Sequence, residues 1–468
     1  MNLILDRLAD LMWGPGMLAL ILGTGIYLTI GTRWLPLTRL RRAFHYAVEK
    51  QPGTEGEVSG LAALCTSLAA TLGTGNIIGV ATAIVAGGPG ALLWMQLSAF
   101  FGMATKYAEG YLAVQYRRRG RDGHYLGGPF LYLEQGMKKP FLARIFAASC
   151  VVTCLISMGT TSQINGIVAA AEDFFDPSRQ MVAFQSGDTC ITWPVVIAGF
   201  LTTLLVGLVL AGGIRRISSV STILVPFMAA LYTLLTLWLI FLHLDKLPAA
   251  FLLIIKSAFA PKAALGAATG ITFQKAMRYG LGRGIFSNEA GMGSDPIAAA
   301  AARTDSPVRQ GLISMLGPFV DTVVMCTLTG YAVILTDAWQ NPALTGANIT
   351  LYALKTLPLP SSFLSFLYMA CLIFFGFSSI IGWSYYGEQS LKYLFPNKKG
   401  AIRWFRRIFL LILMAGSFLS SSAAWNLADI FCGMMAIPNL IGLIGMGQQV
   451  FAGTKAYFSS PGQSRRSA

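Results

Sequence analysis

The strongest constraint in this sequence is a succession of apolar runs, each about 20 residues long, separated by short stretches that hold most of the charges. A helical run of that length matches the hydrocarbon core of a bilayer, about 30 Å thick. Only 12% of the 468 residues are charged and 54% are hydrophobic, whereas soluble domains carry about 25% charged residues. Because lipid satisfies no backbone polar groups, these runs must be helical. The sequence therefore predicts an all-α integral membrane protein.

The apolar runs number about eleven, and each is a candidate transmembrane helix. Their predicted bounds are 11–31, 58–86, 89–115, 145–171, 193–212, 217–243, 265–301, 311–336, 362–390, 404–421 and 424–448. The seventh run is the least regular, since it is rich in Gly and Ala and contains charged residues. No stretch resembles a soluble domain, and no removable signal peptide is predicted.

The charges are distributed in a way that predicts the topology. In a soluble protein, a formal charge of +15 would suggest nucleic acid as a partner. The sequence has no recognition motif, so we expect no nucleic acid to bind. In membrane proteins Lys and Arg gather in cytoplasmic loops. With the N-terminus outside and eleven spans, 25 of these residues lie inside, 6 outside and 4 within spans. This predicts a multi-pass protein in contact with lipid, with a cytoplasmic C-terminus.

The second apolar run is interrupted at Gly73-Thr74-Gly75-Asn76, with a further glycine at Gly79. Each glycine weakens a helix by about 1 kcal/mol relative to alanine. A break survives in a membrane where its free backbone groups line a cavity or meet a ligand. The half-helix beginning near Asn76 would direct N–H groups at an anion, and the one ending near Leu72 would direct carbonyls at a cation. Close helix packing through small residues is the alternative interpretation.

A second interruption is predicted in the seventh run, between Tyr279 and Ser294, where glycines alternate with polar residues. Glu289 there either pairs with Arg283 or caps a half-helix. A cytoplasmic loop with an interfacial helix is the alternative. Two interrupted segments in corresponding positions of two halves indicate inverted repeats around a site at the membrane midplane.

Polar side chains in other runs are further candidates for ligand contact. The hydroxyls of Ser378 and Ser379 can supply oxygen ligands to a hard cation, although bonding to the carbonyl four residues earlier is their commoner use. Trp383 either walls an apolar pocket or packs in the core. Gln163 and Asn165 either bond a neighbouring helix or contact a polar ligand.

Three charged residues inside the runs have separate interpretations. Asp321 is a functional candidate, because a carboxylate within a membrane is costly to retain. Lys106 and Glu109 lie three residues apart on one helix face, and we expect them to form a structural ion pair near the inner surface.

Catalytic motifs are absent from the sequence. The three histidines lack metal-ligand spacing, the seven cysteines are scattered, and there is no Gly-x-Ser-x-Gly or nucleotide-binding motif. The sequence therefore predicts neither an enzyme nor an ATP-driven pump, and no cofactor.

Several ordered motifs resemble those of the alanine-or-glycine:cation symporters, the bacterial and archaeal sodium:alanine symporters. The matching segments are Gly73-Thr74-Gly75-Asn76-Ile77, 79–84, Gly87-Gly88-Pro89-Gly90-Ala91 with Trp94-Met95, 102–109, Ser287-Asn288-Glu289-Ala290-Gly291, Asp321-Thr322 and 382–388. They follow one another over most of the chain, which makes the match specific.

The resemblance implies the leucine-transporter-type fold, with five-plus-five inverted repeats and one extra N-terminal helix. It divides the chain into the N-terminal helix with a basic loop (1–57), a first repeat (58–264), a second repeat (265–450) and a basic cytoplasmic tail (451–468). It also implies alternating access, in which sodium drives uptake of a small neutral amino acid, alanine and/or glycine. Protons are the alternative coupling ion, and the plasma or inner membrane of a bacterium or archaeon is the expected location.

By the same resemblance, Thr74, Gly75 and Asn76 meet the substrate carboxylate, while Gln163 and Trp383 complete the pocket. The chain departs from the family at 93–96, where Leu-Trp-Met-Gln replaces the usual Phe-Trp-Met-Trp. This departure leaves the preference among small amino acids open.

The resemblance also implies a sodium site between the carbonyls of Ala69 and Leu72 and the hydroxyls of Ser378 and Ser379. The family often has Ser-Thr where this chain has two serines, and serine retains the oxygen ligand. A channel or receptor is the competing class, but neither a pore-lining ring of like residues nor a signalling domain is evident in the sequence.

Overall fold

Helices make up nearly all regular structure in the computed structural model, which describes residues 12–49, 55–120, 123–186, 189–259, 273–396, 398–418 and 421–460. In chain order the longer helices are α1 (Pro15–Gly31), α2 (Leu40–Val48), α3 (Gly60–Thr71), α4 (Ile78–Gly87), α5 (Ala91–Gln115), α6 (Pro140–Ile156), α7 (Thr161–Phe175), α8 (Trp193–Ala211), α9 (Gly213–Leu242), α10 (Leu247–Phe259), α11 (Phe273–Asn288), α12 (Pro307–Leu335), α13 (Ala347–Leu354), α14 (Ser361–Leu394), α15 (Lys399–Gly416) and α16 (Ser421–Ser459). Short helical turns lie at Leu35–Thr38, Thr74–Asn76, Pro129–Leu131, Leu244–Lys246, Asp295–Ala299 and Ala338–Gln340.

Two small antiparallel hairpins interrupt this helical pattern. The strands β1 (Arg118–Arg119) and β2 (Tyr125–Leu126) pair after α5, and β3 (Val182–Ser186) and β4 (Thr189–Thr192) pair between α7 and α8. Both hairpins lie in stretches that the sequence predicts as loops, where polar residues end the apolar runs.

Six described helical segments are long and apolar enough to cross a membrane, and the bent pair α3–α4 makes a seventh. The helix α1 is shorter but apolar. These findings support a multi-pass membrane protein, while the number of eleven spans stays a prediction. The outward faces of α8 and α9 expose large apolar side chains, such as Phe200, Leu208 and Ile223. Such surfaces are costly in water and suit contact with lipid tails.

Three predicted spans differ from the observed helices. The fourth is divided at 157–160, between α6 and α7. The seventh remains helical through Gly282 and Gly284, although these two glycines suit an unwound turn, and is divided instead at 289–294, where Gly291 and Gly293 have positive φ. Its portion 265–272 lies outside the described residues. The last continues to Ser459, beyond the predicted end at 448, because its final turns pack on α5, where Tyr107 and Thr454 share a hydrogen bond of 2.6 Å.

The helix α5 and the helix α14 form the two central supports of the fold. The helix α5 packs along α11 and the first turns of α12, while α14 packs against α3, α6, α7 and α9. Both helices carry completely buried aromatic residues, Tyr107 on α5 and Phe375 and Trp383 on α14. This packing brings the two interrupted helices, α3–α4 and α11 with the turn Asp295–Ala299, side by side.

A backbone clamp joins the residues before α3 to those after the turn Asp295–Ala299. The amides of Glu57 and Val58 both donate to the carbonyl of Ala301, at 2.9 and 3.2 Å, and the amide of Arg303 donates to Val58 at 2.7 Å. The guanidinium of Arg117, at the end of α5, donates to the carbonyls of Ala300, Ala302 and Thr304. The clamp fixes one end of both interrupted helices to the end of α5.

Candidate functional site

The helix break around Gly73 is present, and its two halves are bent by 65°. The helix α3 ends at Thr71, the turn Thr74–Asn76 follows, and α4 begins at Ile78. The side-chain oxygen of Asn76 accepts a hydrogen bond of 2.9 Å from the amide of Gly73, which satisfies a backbone group that the break exposes. The glycines therefore interrupt the helix rather than serving only to pack a continuous one.

Two glycines of the break have opposite surroundings. A Cβ atom at Gly73 would lie 2.6 Å from the hydroxyl of Ser379 and 3.0 Å from Oε1 of Gln163, so any side chain there would require these neighbours to move. A Cβ atom at Gly75, or at the buried Gly79, would meet nothing within 4 Å. Open space therefore lies along one side of the break, while the other side is tightly packed.

The structure brings Gln163 of α7 to the break, where it bonds the neighbouring helix, one of the two alternatives that the sequence leaves open. Its Oε1 atom accepts hydrogen bonds from the Thr74 hydroxyl at 3.1 Å and from the Thr74 amide at 3.3 Å. Both side chains are buried. The neighbouring Asn165 instead donates to the Gly416 carbonyl at 2.6 Å, which joins α7 to α15. Of the two amides, Gln163 is the one that belongs to the site.

Asn76 makes one of the hydrogen-bonding links between the two interrupted helices. Its Nδ2 atom donates to Oδ1 of Asp321 at 2.6 Å and to the hydroxyl of Ser287 at 2.9 Å. Oδ2 of Asp321 accepts from the hydroxyls of Ser287, at 2.9 Å, and Thr322, at 2.6 Å. Asp321 is completely buried, and all its described partners are neutral donors. A carboxylate thus lies directly behind the break and makes its surroundings favourable for a cation.

Trp383 of α14 is bonded to the segment 289–294 that divides the seventh run. Its indole Nε1 donates to Oε1 of Glu289 at 3.0 Å, and the other oxygen of Glu289 accepts from Ser294. Glu289 has a left-handed backbone conformation, with φ of 55°, at the end of α11. Packing of Trp383 against the break between α6 and α7 is close, because a Cβ at Gly159 would lie 3.0 Å from its Cβ. The indole is therefore held by the second interruption.

The predicted sodium ligands lie where α3 ends. The hydroxyl of Ser379 donates to the carbonyls of Ala70, at 3.0 Å, and Leu72, at 3.3 Å. The hydroxyl of Ser378 donates to Leu72, at 3.3 Å, and to Phe375, at 2.9 Å. The structure thus brings Leu72, Ser378 and Ser379 together. Ala70 makes the contact predicted for Ala69, which is buried one residue earlier in α3.

Sequence reasoning did not connect Ser287 and Thr322 with the break, although both lie in motifs that it identified. Asn76 is separated from Ser287 by 211 residues and from Asp321 by 245, so no local pattern joins them. The available signal was the family motif at 287–291 together with the intramembrane Asp321.

A separate cavity of 820 Å³ lies near the clamp and is not lined by any predicted site residue. Polar side chains that bond one another line it, including His124 with Glu57 at 2.6 Å and Arg406 with Glu388 at 2.7 Å. Because neither interrupted helix contributes a residue to this cavity, the break remains the better candidate for a solute site.

Comparisons with known proteins identify the family. The model of the "Sodium:alanine symporter family" matches residues 1–467. An uncharacterized transporter of Haemophilus influenzae is 47% identical over 455 residues, covering 97% of this chain and 96% of that protein. The sodium/alanine symporter AgcS of Methanococcus maripaludis is 40% identical over 464 residues, covering 97% and 96%.

A solved structure supports the fold independently. The crystal structure of MhsT in complex with L-phenylalanine has a TM-score of 0.58 with this chain at 13% identity, covering 86% of this chain and 99% of that one. At this identity the likeness concerns the fold alone. Since the family model and both relatives extend over nearly the whole sequence, the chain belongs to the sodium:alanine symporter family and is a transporter rather than an enzyme.

Proposed function

We propose that this protein carries a small neutral amino acid, alanine and/or glycine, into the cell together with sodium by alternating access. The observation that carries the proposal is the break at Gly73–Asn76, with open space beside Gly75 and the ends of two half-helices on either side. Sodium and amino acid symport is the activity of the family. The amino acid, the coupling geometry and the transport cycle are the parts proposed for this chain.

The substrate carboxylate is placed at the beginning of α4. A helix N-terminus presents unpaired amides and the positive end of its dipole, which favours an anion. Gly75 leaves the backbone accessible there, while Thr74 and Asn76 are held by Gln163 and Asp321. The site is therefore ordered before the substrate arrives, and less conformational freedom is lost on binding. In this proposal Gln163 and Trp383 complete the pocket.

Sodium is placed at the end of α3, where the helix dipole is negative. The carbonyl of Leu72 and the hydroxyls of Ser378 and Ser379 supply oxygen atoms, which are the ligands that hard cations prefer. Ala69 remains a proposed fourth ligand, and its neighbour Ala70 offers a carbonyl bonded to Ser379 at 3.0 Å. The cation and the carboxylate then occupy opposite ends of one break and attract each other.

The topology proposed for this cycle has eleven spans, the N-terminus outside and the C-terminus in the cytoplasm. One helix precedes two inverted repeats of five, and rocking of one against the other exposes the break to each side in turn. Cysteine accessibility from each side of the membrane, measured at Cys substitutions in the predicted loops, tests this orientation. Labelling of both termini from the same side would contradict the odd number of spans.

Transport is tested by uptake of labelled alanine and glycine into proteoliposomes. We expect accumulation driven by an inward sodium gradient, and no accumulation when potassium replaces sodium at constant pH. A proton gradient alone is the second arm, because it separates the two coupling ions. Uptake that is independent of both gradients would refute the symport proposal, and a competition panel of small neutral amino acids of both hands would rank the substrates.

A further inference from the structure

One face of α5 is directed at the second interruption. A Cβ atom at Gly102 would lie 2.9 Å from the Cβ of Ala290, and Oε1 of Glu109 accepts a hydrogen bond of 3.1 Å from the amide of Gly293. Residues 102, 106 and 109 follow each other at spacings of four and three, which places them on one helix face. Lys106 therefore points from α5 toward the segment 289–294.

Lys106 does not form the predicted ion pair with Glu109. Its side chain is completely buried, and among the described residues its ammonium has neither a hydrogen-bond partner nor a carboxylate oxygen within 4.0 Å. Glu109 has instead turned one oxygen to the amide of Gly293 and to Nδ2 of Asn439, at 2.6 Å. Its other oxygen, Oε2, is buried without a partner.

Four buried carboxylates lie in or are bonded to the segment 287–295, and they differ in whether both of their oxygens have hydrogen-bond donors. Both oxygens of Glu289 and of Asp321 accept hydrogen bonds. Glu109 and Asp295 each have one oxygen with no described partner. Asp321 lies beside the same face of α5, because a Cβ atom at Gly102 would lie 3.7 Å from Oδ1 of Asn288. The Nδ2 atom of Asn288 donates to the Thr322 hydroxyl at 3.2 Å, and Thr322 donates to Asp321 at 2.6 Å. Several carboxylates therefore lie in the region of the Lys106 ammonium, and none of them is hydrogen-bonded to it.

The Lys106 ammonium is therefore not part of a permanent ion pair, and it is free to change its carboxylate partner. A buried charge without a direct partner is costly in a membrane, so the ammonium remains only because the surrounding carboxylates balance it. A lysine has a flexible four-carbon stem and a compact charge, which allows small shifts between neighbouring carboxylates. A cation that binds at the break would repel the ammonium and compete with it for the field of Asp321.

We propose that Lys106 is a tethered counter-ion of Asp321 in the sodium-free protein. When sodium binds, it takes over this role, and the Lys106 ammonium moves to Oε2 of Glu109. This inference rests on the sodium-coupled transport proposed above. Glu109 is bonded to the second interruption, and Asp295 accepts a hydrogen bond from Ser67 of α3. Sodium binding at the first interruption would thereby change the charge at the second. Lys106 acts as a positioning residue and does not contact the substrate.

The test measures the sodium concentration that gives half-maximal alanine uptake in proteoliposomes. We expect Lys106→Met, which removes the competing charge, to lower this concentration about tenfold, and Glu109→Gln, which removes the receiving carboxylate, to raise it severalfold. Lys106→Arg keeps the charge but not the compact ammonium, so it should not lower the sodium requirement as Lys106→Met does. The matched control is Lys256→Met, the same change at an exposed position of α10, and it should leave the value unchanged.

The double variant separates a displaced charge from two independent charges. If Glu109 acts through Lys106, Glu109→Gln has no further effect once Lys106 is methionine, so the two changes are not additive. Full additivity, or an unchanged or raised sodium requirement in Lys106→Met, would overturn the proposal.

Variants that do not transport remain informative when they are purified in detergent. The sodium concentration that gives half of the maximal thermal stabilisation then replaces uptake, because a ligand that binds the folded state stabilises it. The same ordering of the variants is expected. Sodium-independent uptake by the parent protein would count against the proposed function, whereas sodium-dependent uptake with an unchanged requirement in Lys106→Met and in Glu109→Gln would count against the counter-ion alone.

Discussion

Replacing Asn76 by alanine removes its three shortest side-chain hydrogen bonds at once. The change deletes the acceptor of the Gly73 amide, at 2.9 Å, and the donor to the hydroxyl of Ser287, at 2.9 Å. It also deletes the donor to the buried Asp321 carboxylate, at 2.6 Å. Alanine has no polar atoms that could replace these groups. The backbone of the break and the carboxylate behind it are therefore left unsatisfied together.

The expected magnitude follows from these contacts. An unsatisfied buried amide costs about 1–3 kcal/mol, and a lost hydrogen bond to a charged group costs about 1.5–3 kcal/mol. Together they amount to roughly 3–6 kcal/mol. If this free-energy cost is expressed as disorder of the break, the affinity for substrate and sodium falls by a factor of about 100 to 10,000, since about 1.4 kcal/mol corresponds to tenfold. Uptake by Asn76→Ala should fall below detection.

The assay is sodium-driven alanine uptake in proteoliposomes, normalised to the reconstituted protein. The matched control is Asn165→Ala, since Asn165 is also an asparagine inside a helix, and its Nδ2 donates to the carbonyl of Gly416 at 2.6 Å. This control should lower thermal stability but keep the parent's affinity for alanine. Uptake by Asn76→Ala within about twofold of the parent protein would refute the placement of the site.

Three further predictions concern the same interior. Gly73→Ala should reduce uptake at least tenfold because its Cβ would lie 2.6 Å from the Ser379 hydroxyl, whereas Gly75→Ala should fold normally and raise the alanine KM, since it fills open space; thermal unfolding and uptake of both variants check this. Ser379→Ala should raise the sodium requirement about tenfold with little change in the alanine KM at saturating sodium, and equal effects on both would contradict its role as a cation ligand. Trp383→Phe should lower the maximal rate about tenfold, because the donor to Glu289 at 3.0 Å is lost, while unchanged rates in reconstituted protein would show that the indole only fills space.

The break in α3–α4 could be predicted from the sequence because its cause is local. Glycines at 73, 75 and 79 weaken a helix wherever they occur. In a membrane, the resulting free backbone groups are tolerated only where they line a cavity or meet a ligand, so the break points to a site. The rotation at the end of α3 could not be predicted to one residue. For that reason the carbonyl of Ala70, and not that of Ala69, is the one that faces Ser379.

The partners of buried side chains could not be predicted from the sequence, because they depend on how distant parts of the chain pack and not on the spacing of residues. Lys106 and Glu109 share a helix face, yet Glu109 is held by Gly293 and Asn439, which come from other parts of the chain. The division between α6 and α7 was also missed. There the hydroxyls of Thr160 and Thr161 bond carbonyls five residues earlier, at 2.6 and 2.7 Å, so polar side chains replace the backbone bonds that the interruption removes.

The clamp between the residues before α3 and those after the turn Asp295–Ala299 has a consequence for the resting carrier. Separating these segments breaks backbone bonds from Glu57, Val58, Arg303 and Thr304. At a net value of about 1 kcal/mol each, this costs roughly 4 kcal/mol, before Arg117 is counted. That energy corresponds to about one molecule in a thousand with this end open. A carrier that holds sodium but no amino acid would then seldom open at this end, so the tightness of coupling would depend on a few bonds far from either ligand.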